Sequence, residues 1–556
     1  MKYRVHKYDY TKSLLDNVLA NRGISDIEAF LDLDYDVESE GNPLHFSNMQ
    51  LACGVLYNHI NKNSKIVVVV DQDCDGISSS STLVRYLKYR FPNVDLEVII
   101  QEGNKAHGFN SYIMSRIYEI KPQLVIMPDA GSSDCLYWDK LIKANIHLII
   151  LDHHEYVESE ATERLNKGII VVNNHGSNKV NKFICASGIV YLFIKLFNET
   201  IYKDNYEDTL LDIVSIALIG DSCSMKDIYT RYLTIQGLES ITNPFILALL
   251  NKQKEKVKKI NIMSIAFYIV PLINACIRVC SIKDRYTVFN AIAFDEDIDK
   301  AVDICIEAKK KQDEIRDNEF NSIVEEVENN KLYDDGAILI IKNDITPAIT
   351  GLTANKIASK YNKPCIILRD IGGKYGGSMR CPIETLDFKK WINDSNIAQS
   401  FGHAQAAGFY INSERVDDFK NILPELNEII GDNAIFVDKV YEYNKINTHE
   451  LFDVIENEDL WGTGVKEPLF VVNNIRLYSD DVSILGKKEN TIKFSCCGID
   501  YLMFNVDDKI KNQFFQYNSF KINVLGRFTK NEFRGKVTIQ LIIEDFEIEK
   551  NNDFFF

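Results

Sequence analysis

Lys65-Ile66-Val67-Val68-Val69-Val70-Asp71-Gln72-Asp73-Cys74-Asp75-Gly76, followed by Ile77-Ser78-Ser79-Ser80-Ser81-Thr82, is the stretch that decides the fold. Its five consecutive β-branched apolar residues are too few to cross a membrane and read as a strand buried on both faces, ending in three acids at alternate positions. A glycine and serines then open a helical pattern. The acids therefore fall on a strand-to-helix turn, where open α/β sheets put their ligands. Alternate positions of an extended segment point to opposite sides, but a turn can bring two or three acids onto one cation. Alone, the stretch is equally a solvated acidic turn, and its neighbours decide between the readings. Gly76 is expected to let the backbone turn tightly into the helix, and Cys74 to point into the core as a small side chain.

Working outward, strand and helix alternate: strand 65 to 70, helix about 78 to 90, strand 95 to 100, helix about 110 to 119, strand 123 to 127, helix about 135 to 144, strand 146 to 151. That alternation predicts an α/β fold with a parallel, doubly wound sheet. Upstream, helical periodicity over 11 to 60 gives a lead-in, broken by Arg22-Gly23 and the polar stretch 38 to 43. Helices dominate from 186 to 251, and 298 to 330 is one long charged helical pattern without proline or glycine. A second α/β unit begins at Gly336-Ala337-Ile338-Leu339-Ile340-Ile341, with a helix at about 350 to 360, a strand at 365 to 368 and a closing helix at about 414 to 430. From Pro468 the pattern becomes five short alternating strands, which suggests a small OB-fold-like β-barrel. The expected organisation is a helical lead-in 1–62, first α/β domain 63–296, connector helix 297–331, second α/β domain 332–435, barrel 440–550 and tail 551–556.

A length of 556 residues accommodates roughly three or four domains. The net charge of −17, from 80 acids and 63 bases, means that a nucleic-acid partner must be held in a local basic groove against the global field. Twelve cysteines without a C-x-x-C pair, several in apolar segments, indicate neither a zinc knuckle nor a disulfide framework. The N-terminus lacks a signal-peptide apolar block, and no apolar run approaches 18 residues, so a soluble cytoplasmic chain with no membrane partner is expected.

Three further stretches sit where the sheet pattern places strand ends. Leu124-Val125-Ile126-Met127 runs into Pro128-Asp129-Ala130-Gly131, Ile149-Ile150-Leu151 into Asp152-His153-His154-Glu155, and Val214-Ser215-Ile216-Ala217-Leu218-Ile219-Gly220 into Asp221. Taken singly, Asp129 or Asp221 is more often a turn or cap residue; taken together the four segments deliver acids and imidazoles to one sheet edge. An oxygen-rich ligand set with one or two imidazoles suits manganese or magnesium better than structural zinc. Two such cations could activate a water and neutralise the leaving oxygen of a phosphoester.

These motifs, D-x-D-x-D-G at Asp71 to Gly76, D-x-G at Asp129, D-H-H at Asp152 and the later lone Asp221, resemble the four motifs of the DHH phosphoesterase family. Within it the chain resembles the RecJ single-strand-specific exonucleases over nearly its whole length. Pro271-Leu272-Ile273-Asn274-Ala275-Cys276-Ile277-Arg278 is similar to the family's P-x-x-N-A-x-x-R, Gly377-Ser378-Met379-Arg380 to its G-S-x-R, and Gly402-His403-Ala404-Gln405-Ala406-Ala407-Gly408 to its G-H-x-x-A-A-G. Trp461 to Pro468 falls where the family enters its OB-fold, and Arg22-Gly23-Ile24 and Phe30-Leu31 resemble its N-terminal segment.

The resemblance implies that Asp73, Asp75, Asp129, His153 and Asp221 ligate two divalent cations, manganese or magnesium, with Asp129 as the bridge. It makes Asp71 and Asp152 their supports and turns His154 to the scissile phosphate. Asn274, Arg278, Ser378 and Arg380 are implied to hold substrate phosphates, with Gly402 and His403 approaching the nucleotide from the second, DHH-associated domain. Three departures stand out. Phe401 precedes Gly402-His403 where the family has glycine, Asp344 to Gly351 lacks its tryptophan–histidine pair, and Lys105 stands in a segment that often carries a phosphate-binding arginine, for which a lysine is a point charge only. The implied activity is 5′-to-3′ hydrolysis of single-stranded DNA to 5′-mononucleotides in repair and recombination. The resemblance leaves room for a helicase or single-strand-binding protein as partner. A DHH phosphodiesterase for short oligoribonucleotides or cyclic dinucleotides is the alternative, and the C-terminal barrel argues against it. In that barrel Phe494, Tyr501, Phe504, Arg527, Phe528, Lys530, Phe533 and Arg534 interleave aromatics and bases as a strand-stacking surface would, although many such rings must be core. The tail Phe554-Phe555-Phe556 reads as a frayed end or a docking tip.

Overall fold

The computed structural model describes residues 1–33, 41–102, 107–176, 180–383, 385–431, 434–533 and 536–550. These fall into two compact units, one within Met1–Tyr35, Ser224–Ile228 and Asn433–Phe556, the other within Asp36–Cys223 and Tyr229–Asp432.

The larger unit opens on a five-stranded sheet. Strand β1 (Ile66–Val70) leads into helix α1 (Cys74–Arg90), followed by β2 (Leu96–Ile100), β3 (Leu124–Pro128), β4 (His147–Asp152) and β5 (Ile169–Asn173). The order is β2-β1-β3-β4-β5 with every pairing parallel. β1 to β5 matches the expected doubly wound sheet, with β5 added. Its signal, the run Ile169-Ile170-Val171-Val172, was present in the sequence but not read as a strand. All five residues of β1 are buried. Val67 and Val69 join Val125, Met127, Leu148 and Ile150 under Ile113, Ile117, Trp138 and Leu141 of the covering helices. Each such aliphatic side chain contributes about 1.5–3 kcal/mol by leaving water. The strand order reverses between β1 and β3, and the crevice at their carboxyl ends is where such sheets hold ligands.

Helix α1 starts earlier than the serines suggested. Asp73, in extended conformation, is its N-cap, and its carboxylate accepts the Gly76 N–H at 2.9 Å. Gly76 is thus inside the first helical turn rather than at a tight bend. Its glycine is demanded by proximity, since a Cβ there would lie 2.7 Å from the Asp71 carbonyl oxygen. Cys74 is buried, as expected.

Helices then take over: α2 (Ala186–Ile201), α3 (Leu211–Gly220), α4 (Val270–Val279) and the 33-residue α5 (Ile298–Asn330), whose span is the one the uninterrupted charged pattern predicted. The segment before Asp221 is therefore helix, in keeping with the helical pattern of 186 to 251 and against its placement at a strand end. Nine of its ten residues are buried, and a short apolar run with no polar face reads alike in either state. The 18-residue window Ile262–Val279 has mean hydropathy 1.9, long and apolar enough to cross a membrane by that measure, which the sequence reading overlooked. It is split between two helices, half of it is buried, and α4 packs on α5.

α5 ties the first lobe to the second. Its first half buries Ala301, Val302, Cys305 and Ala308, and its second half puts Ile323 and Val327 into the second lobe's core with Ile338, Ile340 and Ile367. That lobe comprises β6 (Ile338–Ile341), α6 (Thr350–Tyr361), β7 (Cys365–Asp370), β8 (Lys374–Arg380), β9 (Ala398–Gly402) and β10 (Ala406–Asn412), in sheet order β9-β10-β8-β7-β6. Only β6 and β7 pair in parallel; the other pairings are antiparallel.

The smaller unit holds a seven-stranded sheet that runs from Lys439–Glu442 through Phe470–Tyr478, Ser519–Phe533, Lys536–Lys550, Ile499–Phe504 and Thr491–Cys496 to Ser483–Leu485. Among the described residues its two edges do not pair, and the sheet has seven strands where five were expected of the OB-fold-like domain. It bends at irregularities between Val472 and Ile475 and between Leu525 and Gly526. Phe494, Tyr501 and Phe528 are core, and Arg527 is paired with Glu467 and Glu544, so among the expected rings whose side chains are described Phe504 is the exposed one, the Phe533 side chain lying outside them. Arg534 and the phenylalanine tail lie outside the described residues. Tyr3–Val5 pairs with Ile435–Val437, and Arg22 grips Asp438 with two hydrogen bonds of 2.7 and 2.8 Å.

Candidate metal centre

The chain brings four anionic segments together at the carboxyl ends of β1, β3 and β4 and at the C-terminus of α3. Asp129 follows β3 with φ +66°, a left-handed conformation that is uncommon for a residue with a side chain. It is buried, and its Oδ1 lies 3.3 Å from His153 Nε2. The same Nε2 is 3.8 Å from Asp75 Oδ2 and 3.8 Å from Asp221 Oδ2. One imidazole nitrogen is thus ringed by three carboxylates. Asp221 caps the C-terminus of α3, whose dipole adds negative potential.

The supports Asp71 and Asp152 are hydrogen-bonded through both carboxylate oxygens, whereas Asp73 accepts the Gly76 N–H and Asp129 Oδ2 has no partner. Asp71 Oδ1 accepts Gln101 Nε2 at 3.1 Å and the Gly108 N–H at 3.3 Å, and its Oδ2 meets His107 Nδ1 at 2.5 Å. Asp152 accepts the backbone N–H groups of His153 (2.8 Å), His154 (3.2 Å) and Ser132 (3.3 Å), and His154 Nδ1 at 2.8 Å. Asp75 stands between the two kinds. It accepts the Ala186 and Ser187 N–H groups at 2.8 and 2.9 Å from the start of α2 and the Cys185 thiol at 3.1 Å, while also facing His153.

Electrostatics do not follow this division, since burial raises the support Asp71 above the usual carboxylate range in spite of the His107 charge. Burial, reinforced by Asp75 and Asp73, pushes the Asp129 and Asp221 carboxyls well above the usual range. Burial also tends to raise Asp152, but its bond to His154 and the histidine charges outweigh this and hold it low. Asp73 is lowered in spite of burial by His107 and the Gly76 N–H. His154 is desolvated, yet the Asp152 hydrogen bond and charge lift it to about 9. The Asp71 carboxylate raises His107 to about 9.

The residues present fit divalent cations. Asp129 Oδ2 is buried with no hydrogen-bond partner, which costs stability unless a ligand meets it. Donor atoms of Asp129, Asp152, His153 and His154 all lie within 4.8 Å of one another, as do those of Asp75, His153 and Asp221 and those of Asp71, Asp73 and His107. His107 was missed by the sequence reading, which looked to Lys105 in the same segment; Lys105 lies outside the described residues. The available signal was position alone, a histidine just beyond the end of β2 on the same sheet edge.

The proposed phosphate residues assemble beside this centre. Arg278 on α4 is desolvated, which lowers it, and feels the Asp73 charge. Asn274 is one helical turn earlier on the same helix. From the second lobe, Arg380 is lowered to about 10 by burial and by the Arg278 charge. Its guanidinium crosses α6 where Gly351 leaves room, since a Cβ there would lie 2.5 Å from Nη2. Ser378 is buried two residues away on the same face of β8. His403, after Gly402 (φ +132°), is lowered by burial and by the charges of His153 and His154.

Comparison with known proteins agrees with this architecture. The DHH family N-terminal domain matches residues 65–218, the DHHA1 domain 334–432 and the RecJ OB domain 437–545. A Bacillus subtilis (strain 168) protein named as an SPbeta prophage-derived single-strand DNA-specific exonuclease, YorK, is 31% identical over 99% of this chain and 98% of its own. The chain belongs to the RecJ-like DHH exonuclease family. Another RecJ-like relative, the single-stranded-DNA-specific exonuclease RecJ of Escherichia coli (strain K12), is 23% identical over 96% of this chain and 95% of its own. The crystal structure of Thermus thermophilus RecJ in complex with Mn²⁺ has the same fold, with a TM-score of 0.74 at 18% identity over 99% of this chain and 80% of that one.

Proposed function

We propose that this RecJ-like chain is a metal-dependent exonuclease that hydrolyses single-stranded DNA from the 5′ end to 5′-mononucleotides, in the cytoplasm and in the service of DNA repair and recombination. The observation that carries the reading is the partnerless buried oxygen of Asp129 within a ring of carboxylates around His153. Full-length similarity to single-strand-specific exonucleases supports the substrate.

Asp73, Asp75, Asp129, His153 and Asp221 are the proposed ligands of two cations, and manganese or magnesium is supported by the structures of Thermus thermophilus RecJ in complex with Mn²⁺ and with Mg²⁺. When bound, such ions supply a water of lowered pKa and neutralise charge on the phosphate and the leaving oxygen. Asp71 and Asp152 are proposed to orient the site, Asp71 by holding His107 and Asp152 by holding His154. Asp152 fixes His154 with its Nδ1 proton inward and keeps the ring protonated at neutral pH, so that His154 can donate a charge-assisted hydrogen bond to the scissile phosphate. Arg278, Arg380, Ser378, Asn274 and His403 hold the strand. Two arginines whose charges repel each other become a fork for one phosphate, and the substrate relieves their repulsion. The match to the RecJ OB domain favours a polymeric strand over a cyclic dinucleotide. Helicase or single-strand-binding partners remain part of the proposal only through the resemblance.

The test is digestion of one sequence presented as a single strand and as a blunt duplex, with manganese and with a chelator. The single strand should be consumed much faster and the chelator should stop it. Equal rates on the two substrates contradict the reading.

A further inference from the structure

The sheet of the second lobe has two unlike faces. Side chains alternate along a strand, so Lys374, Gly376, Ser378 and Arg380 of β8 share one face while Met379 enters the core on the other. Register carries the first face across the sheet. Ser378 pairs with Gly408 and Gly376 with Tyr410 on β10, and these pair in turn with Phe401 and Gln399 on the edge strand β9. Over β6 and β7 this face is covered by α5 and α6 through Ile338, Ile340, Cys365 and Ile367. Over β9 and β10 the cover stops. Phe401 is 62% and Tyr410 46% exposed, and their rings meet edge to face with centroids 6.2 Å apart.

The floor between these rings and Ser378 is glycine. A Cβ on Gly408 would meet no atom closer than 3.7 Å, so the backbone there is open to a ligand. A cavity of about 510 Å³ adjoins the rings, lined by Lys374, Gln399, Phe401, Tyr410, Asn412 and Arg415 among others. At the other end the face reaches the metal centre, for His403, two residues after Phe401, feels His153 and His154, and Arg380 feels Arg278.

We propose that Phe401 and Tyr410 form a base-stacking platform for single-stranded DNA, receiving a base of the strand whose phosphate is held by Ser378 and Arg380. The proposal rests on the reading of the chain as a single-strand exonuclease and adds a subsite to it. Three features favour a nucleic-acid strand over a docked protein. The face is continuous with the phosphate-holding residues, a lysine stands at its outer end, and its rim of Gln399, Asn412 and Asn393 is polar rather than the broad apolar patch of a protein interface. Exposed rings accept any base, because every base has a π-face. Phe401 stands where the resemblance places a glycine, so the platform would be a property of this chain.

The experiment uses the full chain with Asp129→Asn, which silences cleavage, and manganese. Two dye-labelled strands of equal length and phosphate count, one of thymidines and one wholly abasic, are titrated by anisotropy. The Phe401→Ala/Tyr410→Ala variant should bind the thymidine strand about tenfold more weakly, the loss expected for one stacked base. It should bind the abasic strand as its parent does, which also shows that it is folded, and Phe401→Trp should restore thymidine binding. Equal losses on both strands, or no loss on the thymidine strand, overturn the platform alone. A parent that binds neither strand overturns the single-strand reading with it.

Discussion

The two lobes of the larger unit carry unmet charge of opposite sign. In the first, burial and mutual repulsion drive Asp129 and Asp221 well above the usual carboxylate range, and one Asp129 oxygen has no partner. In the second, burial and Arg278 bring Arg380 down to about 10. Charges that are met look different: Asp152 is met by three backbone N–H groups and a histidine and, within the smaller unit, Arg22 by both oxygens of Asp438. Like charges held together cost stability and persist where a ligand repays them. The sign of the excess names the ligand, a cation in the first lobe and a phosphate in the second.

Breaking the first side should have the largest effect. Asp129→Asn is expected to lower kcat by on the order of 10³-fold or more, the several kcal/mol that metal-held charge supplies. It should also raise the melting temperature of the metal-free protein, because it removes repulsion, whereas Asp152→Asn should lower it; melts of both variants in chelator check the contrast. Next, Arg380→Ala should reduce kcat/KM by roughly 10- to 100-fold, the worth of a hydrogen bond to a charged group, while manganese affinity measured by calorimetry stays put. A fall in metal affinity instead would erase the division of labour. Third, manganese at a hundred times its Kd should stabilise the wild-type chain by about 2.7 kcal/mol, and Asp129→Asn should blunt that gain.

The smallest effect lies away from the site. Glu207, buried and hydrogen-bonded by Asn198 at 2.9 Å, is pushed up to about 7 by desolvation. Its folded pKa exceeds its unfolded one, so the stability it permits is complete below the ordinary glutamate range and declines as pH rises through about 7. Thermal melts across that window should slope downward in the wild type and flatten in Glu207→Gln.

Much of this was legible before the structure. β-branched runs ending in acids mark buried parallel strands whose tips carry chemistry, and an unbroken charged pattern gave α5 over the residues it occupies. What was not legible depends on tertiary context. Asp221 arrives on a helix, as the helical reading of 186 to 251 had it and not at the strand tip where the sheet pattern also put it, because a mostly apolar segment reads alike in either state. His107 meets Asp71 across 36 residues in a pairing that no local rule predicts, and Arg22 finds Asp438 across 416 residues. In the C-terminal sheet, Phe494 and Tyr501 looked like stacking rings but are core, since alternation alone does not say which face is covered.

The most direct test of the account is digestion of a single strand labelled at its 5′ end beside the same strand labelled at its 3′ end, with manganese. The account predicts immediate release of labelled mononucleotide from the 5′-labelled strand alone, abolished by chelator and by Asp129→Ala. Release from the 3′ end first, or undiminished activity in the Asp129→Ala protein, would contradict it.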